Sequence, residues 1–292
     1  MGSIQTSKAA REEHITKEKF MTQYFESQTP VVMGDLSKDW PTYEKWDLTY
    51  MQEVGGDQEV PLYDSKPTKG KQNSAEPAKK MKLAAYLETL KKGPSDYRMF
   101  FYNILDHIPS LTKDFKYPEI GLKFFKRLPV LFFGGQGSRV LMHYDIDLAN
   151  NILFHFHGKK TVILFPPNQT KYLYRVPFSV HNLEEIDMEN PDFKAYPALE
   201  HAKGIEAELN HGDALFIPSG YWHYVRYDTA GFSMSLRAFP REPKKLAKLL
   251  YNVFIMRHFE NVMRKTRGQK WIDYKENKVK RKTHKKLEKG TL

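Results

Sequence analysis

The sequence predicts a mainly β protein, a sandwich or barrel with helices at both ends. Eight short apolar or alternating segments carry that prediction: RMFFYNI, LPVLFFGG, SRVLMHYD, NILFHFH, TVILFPP, ALFIPSG, YWHYVRYD and FSMSLRAF, separated by Gly, Pro, Asn and Asp. Helical spacing flanks the series on either side. With 292 residues, 40% hydrophobic and 14% aromatic, the chain has enough apolar material for one large domain or two small ones.

Taken in order, residues 8–28 place Ile15, Phe20, Met21, Tyr24 and Phe25 at helix-like spacing, and TPVVMGD then reads as a short strand. Lys38-Asp39-Trp40-Pro41 breaks the chain, and the segment from Leu48 to Val54 reads as a short helix stopped by Gly55-Gly56. Residues 64–80 are polar and rich in Lys, Pro and Ser, which predicts an exposed loop, and a helix is expected near residues 81–91. After the fifth strand segment, the polar stretch from Pro167 to His211 reads as loops with short turns. From Arg241 the spacing is helical again, with Leu246, Leu249, Leu250, Val253 and Met256 on one face and Phe254 and Phe259 nearby. A helix so apolar either packs on the barrel or pairs with a second copy as a homodimer. The chain thus divides into a catalytic domain over 1–240, a helix over 241–263 for packing or dimerisation, and a basic tail over 264–292.

Composition narrows the chemistry. There is no cysteine, so disulfides, zinc-thiolate sites and cysteine nucleophiles are excluded, and any metal must be held by nitrogen and oxygen. No apolar run reaches the length of a membrane span, and the polar start MGSIQTSKAAREEH lacks the apolar core of a signal peptide, so a cytoplasmic protein without a membrane partner is expected. The net charge is +11, of which residues 264–292 carry +9. A nearly neutral body with a basic tail points either to an anionic partner or to a solvated, disordered end.

The stretch VLMHYD, Val140 to Asp145, is where candidate chemistry first appears. On a strand, His143 and Asp145 share one face and Met142 and Tyr144 the other. Downstream, in HGDALFIPSGYWH, a tight turn leads into an apolar strand, and Trp222-His223 opens the next one. An HxD pair on one strand and a distant His on another give two imidazoles and one carboxylate, the facial set that holds Fe(II) with open positions. Zn(II) accepts similar donors, so these three residues do not by themselves fix the metal.

The combination LFFGGQGSRVLMHYD, NILFHFHGKKTVILFPP and GDALFIPSGYWHYV resembles the JmjC family of Fe(II)- and 2-oxoglutarate-dependent oxygenases. It is most similar to the small cupin-like hydroxylase branch that includes the asparaginyl hydroxylase of hypoxia-inducible factor and the tRNA wybutosine hydroxylase. With PVVMGDLSKDWPTYEKWDLTYMQEVGG added, the likeness runs from about Ile15 to Phe239. The resemblance implies a double-stranded β-helix, the jelly roll of cupin and JmjC proteins, whose interior face lines a cavity. It implies His143, Asp145 and His223 as iron ligands. Lys160 matches the lysine that pairs with the distal carboxylate of 2-oxoglutarate, leaving Lys159 solvated, and Asn151 matches an asparagine near that carboxylate, two residues further from the HxD triplet than usual. Where several relatives carry a tyrosine, this chain has Phe100, so Tyr102, one strand repeat on, is the expected substitute. Ser235 and Arg237 share a face of the last strand, and Arg237 is expected either to contact 2-oxoglutarate or a substrate anion, or to form an ion pair at the barrel rim.

The remaining aromatic and histidine residues read structurally: His155 and His157 as buried structural histidines on the strand face of Asn151, and Tyr144, Tyr221 and Trp222 as packing. His107, His181, His201 and His211 receive no role. The resemblance implies hydroxylation of a C–H bond with O2 as cosubstrate. A protein side chain is favoured as the substrate, an RNA base is the alternative motivated by the basic tail, and lysine demethylation is disfavoured for want of a histone-reading module. The rivals are a non-enzymatic cupin-type binding or sensing protein and a zinc hydrolase or isomerase.

Overall fold

The computed structural model describes residues 2–66 and 76–292. Its strands are β1 Gln5–Lys8, β2 Ala10–Glu12, β3 Val31–Met33, β4 Glu59–Leu62, β5 Lys79–Lys82, β6 Arg98–Asn103 and β7 Val130–Gly134. They continue with β8 Arg139–Tyr144, β9 Asn150–His157, β10 Lys160–Phe165, β11 Lys203–Leu209, β12 Ala214–Ile217, β13 Trp222–Tyr227 and β14 Gly231–Ala238. The helices are α1 Lys17–Lys19, which widens into a π turn over Phe20–Phe25, then α2 Pro41–Lys45, α3 Leu48–Gly55, α4 Leu83–Lys92, α5 Ile104–His107, α6 Pro243–Leu250, α7 Arg257–Arg267 and α8 Gln269–Glu288.

All eight strand segments read from the sequence form strands, and they stack as two sheets. One has the order β1-β11-β10-β13-β8 and the other β2-β3-β12-β9-β14-β7-β6. Pairing is antiparallel except where the two N-terminal strands join, β1 on β11 and β2 on β3. This is the expected jelly roll, open rather than a closed barrel.

Strand alternation sorts the side chains into three layers. Between the sheets lie Leu153, Val162, Leu164, Leu215, Ile217, Val225 and Tyr227. On the outer face of the larger sheet, Ile152, Phe154, Phe156, Phe232, Met234 and Leu236 pack against Phe20, Trp40, Trp46, Leu48 and Leu87 from the N-terminal helices. The outer face of the smaller sheet, with Met142, Tyr144, Phe165, Trp222 and Tyr224, is covered by Leu173, Tyr174, Leu183, Tyr196 and Leu199, and by Val279 of α8. Met142 and Tyr144 therefore point away from the interior, as alternation requires.

The structure corrects the chain ends and the insertion. Residues 5–12 are strands rather than the start of a helix, because parallel pairing with β11 and β3 extends both sheets, and the helix begins only after Thr16, whose side chain caps it by accepting from the Lys19 amide. The stretch between Pro167 and His211 holds β11 besides its loops and 3-10 turns; charged residues on its exposed face mask the alternation. The loop expected over 64–80 falls mostly on residues 67–75, outside the described residues, and its end pairs as β5 with β4.

The end of the chain is helical. α7 runs through Arg264, and α8 follows after Gly268, whose φ of 52° reverses the chain. α8 buries Trp271, Ile272, Lys275, Val279 and Thr283. The corner between the two helices is held by buried Glu260: its Oε1 accepts from Arg264 Nε at 2.8 Å and Lys275 Nζ at 2.5 Å, and its Oε2 from Trp271 Nε1 at 2.9 Å. Removing the anion strands two buried cations, so Glu260→Ala is expected to cost about 3–5 kcal/mol of stability. Denaturant unfolding checks this, with the exposed pair variant Lys8→Ala as a control expected to leave the unfolding midpoint nearly unchanged.

Candidate metal centre

The metal ligands expected from the sequence come together because β8 and β13 are antiparallel neighbours with His143 directly opposite His223. Register elsewhere in this pair pairs Val140 with Val225, so β8 carries one extra residue between Val140 and His143. That bulge keeps both on the interior face despite their odd spacing. Asp145 follows at the strand end. One donor atom from each of His143, Asp145 and His223 lies within 4.8 Å of the others, and the two imidazole centroids are 4.2 Å apart.

The rings are set for coordination. His143 Nδ1–H donates to the Leu141 carbonyl at 2.8 Å and His223 Nδ1–H to the Tyr221 carbonyl at 3.3 Å, which leaves each Nε2 lone pair to the cavity. Burial, with His223 alongside, pushes His143 down to about 3, and burial lowers His223 as well. Burial alone would raise Asp145, but the adjacent Arg237 guanidinium outweighs it and holds the carboxylate ionised. Two neutral imidazoles and one anion are the protonation states a divalent cation needs.

Arg237 forms the ion pairs expected as one of its two roles, and it also lines the cavity. It lies buried on β14, with Nη1 donating to both Asp147 oxygens at 2.9 and 2.8 Å and Nη2 to Asp145 Oδ1 at 3.2 Å. It thus orients the carboxylate ligand. Asp147 escaped the sequence reading, although HxDxD repeats the strand period and was visible.

The triad lines a cavity of about 370 Å³ bounded also by Leu153, Ile217 and Val225, with Lys160, Asn151 and Arg98 on its walls. Lys160 is 1% exposed, and among the described residues its ammonium has no ion-pair partner, only the Tyr227 ring 5.1 Å away. Burial lowers its pKa to about 7. Lys159 instead faces solvent and pairs with Glu208 at 3.6 Å. Asn151 Oδ1 accepts from Ser235 Oγ at 2.6 Å, which leaves the amide N–H groups for the cavity.

Tyr102 is not brought to the cavity. Met99 pairs with Phe133 and Tyr102 with Leu131, so two residues, Phe100 and Phe101, oppose one, and Phe101 adopts a φ of 57°. The bulge turns Tyr102 into the helix-covered core, stacked on His107 at 4.1 Å, while Phe100 keeps the cavity position. Tyr63, against Phe100 at 4.3 Å, lines the cavity from outside the predicted strands. His181, given no role from sequence, bridges to His143 and lines the cavity with Glu184. His155 is fully buried and bonds Ser233 Oγ at 2.8 Å, away from the cavity.

A family model described as a cupin-like domain matches residues 17–264. The chain belongs to this family. Its relatives include human tRNA wybutosine-synthesizing protein 5, 28% identical over 252 residues that cover 77% of this chain and 76% of that protein. Lysine-specific demethylase 8 of Xenopus tropicalis is 28% identical over 224 residues, 75% of this chain and 50% of that protein. Jumonji C domain-containing protein 5 of Drosophila melanogaster is 28% identical over 231 residues, 75% and 56%. The chain therefore spans about three quarters of the wybutosine protein but only about half of the other two. These matches are consistent with a JmjC-type cupin domain.

Metal titration checks the centre. His223→Ala is expected to weaken Co(II) binding by about 100-fold or more. Arg237→Lys, a point charge that cannot span both carboxylates, should weaken it by about 10–100-fold. Wild-type affinity in either variant would remove that residue from the account.

Proposed function

We propose that the protein is an Fe(II)- and 2-oxoglutarate-dependent dioxygenase that hydroxylates a C–H bond of a macromolecular substrate, with a protein side chain as the favoured target. One observation carries the reading: a buried ammonium without a counter-ion, Lys160, shares a dry-walled cavity with two neutral imidazoles and a carboxylate. A buried charge is costly unless something pairs with it, and a dicarboxylate that also ligates the metal would supply that pair. His143, Asp145 and His223 would hold the iron. When bound, iron and 2-oxoglutarate supply dioxygen activation coupled to release of succinate and CO2, with one oxygen atom passing to the substrate.

The chain's own part is to bind and to exclude water. Lys160 Nζ and the Asn151 amide would hold the distal carboxylate of 2-oxoglutarate, and Arg237 holds Asp145 in place. Leu153, Ile217 and Val225 keep water from the reacting centre. The cavity lining carries both signs, Asp64, Glu76 and Glu184 with Lys66 and Arg98, and so offers partners to a polar amino-acid side chain. Hydroxylation of an RNA base is the second reading, motivated by the basic C-terminal residues.

Residues 1–240 form the catalytic unit in this proposal, which places the protein in the cytoplasm; among the described residues no helix is long and apolar enough to cross a membrane. The helices after it leave Phe254 69% and Ile255 59% exposed, beside Leu250 and Val262. That face supports a homodimer. Light scattering should give twice the chain mass for wild type and a monomer for Phe254→Glu; a monomeric wild type would reject it.

Succinate release with Fe(II), 2-oxoglutarate and oxygen, measured with protein and RNA fractions added, tests the reading. Release stimulated by a protein fraction supports it, and stimulation by RNA alone would move the substrate to the second reading. No release despite metal and 2-oxoglutarate binding would favour a sensing protein. The affinity for 2-oxoglutarate should also fall as pH rises. The ligand binds the ammonium form, which the free cavity loses near pH 7, so up to about tenfold per pH unit is lost above that. Calorimetry at pH 8 should register proton uptake, and Lys160→Ala should abolish it.

A further inference from the structure

The basic C-terminal residues form an ordered face. Lys270, Tyr274, Lys278, Arg281, Lys285 and Lys289 are all exposed, and their steps of four, four, three, four and four keep them within an arc of about 100°. The stripe runs for about 30 Å along α8, flanked by exposed Lys282 and Lys286. Among the described residues none of these cations forms an ion pair with a carboxylate. The one acidic residue in the arc is Glu288, in the last turn. Lys278 is instead set over the ring of half-exposed Tyr274, 5.3 Å from its centroid. An open hollow at the stripe's beginning is lined by Arg267, Lys270, Trp271 and Tyr274.

We infer that this face of α8 binds the phosphate backbone of a nucleic acid. Like charges aligned along a helix repel one another, and a polyanion of matching length relieves that repulsion while releasing its own counter-ions. An anionic membrane fits less well. The apolar side of α8, with Trp271, Ile272 and Val279, is turned into the protein, so the helix has nothing to insert into lipid. α8 lies beyond the region the family model matches, so the face is an addition to the shared domain.

The other side of α8 reaches towards the cavity. Lys280 pairs with Glu185, and Phe178 packs on Trp271, which clamps the segment carrying His181 and Glu184 against the helix. Backbone held on the outer face is one packed segment from the metal centre. The inference does not depend on the oxygenase reading: nucleic-acid binding without succinate release would reject that reading and leave this one intact.

Fluorescence anisotropy with the full chain, a labelled 20-nucleotide RNA hairpin and a DNA duplex of similar length tests it. About five backbone contacts predict a logarithmic salt slope near −4, a loss of about 250-fold between 50 and 200 mM KCl. Lys278→Glu with Arg281→Glu and Lys285→Glu should lose at least about 30-fold at 100 mM KCl. The matched triple Lys278→Arg, Arg281→Lys and Lys285→Arg should keep wild-type affinity, and unchanged circular dichroism verifies folding. Three results would each overturn the inference: no binding to RNA or DNA at 50 mM, reversal variants that bind as wild type, or tighter binding to a poly-glutamate peptide or phosphatidylserine vesicles.

Discussion

Antiparallel pairing of β8 with β13, with His143 directly opposite His223, is the constraint on which the centre depends. Imidazoles on facing strands meet only when the register is right, and a slip of one residue would turn the side chains of the slipped strand to the other face. The register is specified from outside the centre. Met142 and Tyr144 on one strand, and Trp222 and Tyr224 on the other, are buried together under the Pro167 to His211 insertion, so a slip of β8 would take Met142 and Tyr144 out of that core. Packing on the outer face therefore fixes chemistry on the inner one.

The same separation explains how the cavity tolerates its polar groups. Two imidazoles kept neutral, a buried lysine and an arginine shared between two carboxylates all weaken the fold before any ligand binds. Aromatic cores on both outer faces offset this, chiefly Trp40, Trp46, Phe154, Phe156 and Phe232 on the larger sheet. Arg237 links the two requirements. It lessens the repulsion between Asp145 and Asp147 and, by pinning Asp145, prepares the carboxylate for a metal.

Much of this was legible in the sequence because it follows strand period and residue type. His143 and Asp145 two apart, a Gly-Asp turn, Trp-His at a strand start and eight apolar runs each state local geometry directly. Lys160 was legible because it heads an apolar strand. Tyr102 failed for a definite reason: the bulge at Phe100 and Phe101 inserts a residue, and counting by two then assigns the wrong face. His181 and Tyr63 were invisible because they reach the cavity from segments without periodic signal. For the C-terminal residues the sequence left order and disorder open. Their charge is obvious, but the buried face of Trp271, Ile272, Lys275 and Val279 that orders them rests on a lysine neutralised by Glu260 in another helix, a contact that spacing within α8 does not reveal.

Anomalous diffraction from crystals grown with Co(II) and 2-oxoglutarate tests the central claim most directly. The account predicts a peak bonded to His143 Nε2, His223 Nε2 and the Asp145 carboxylate, with the distal carboxylate of 2-oxoglutarate within hydrogen-bond distance of Lys160 Nζ. A peak elsewhere, or a ligand whose distal carboxylate bypasses Lys160, would contradict it.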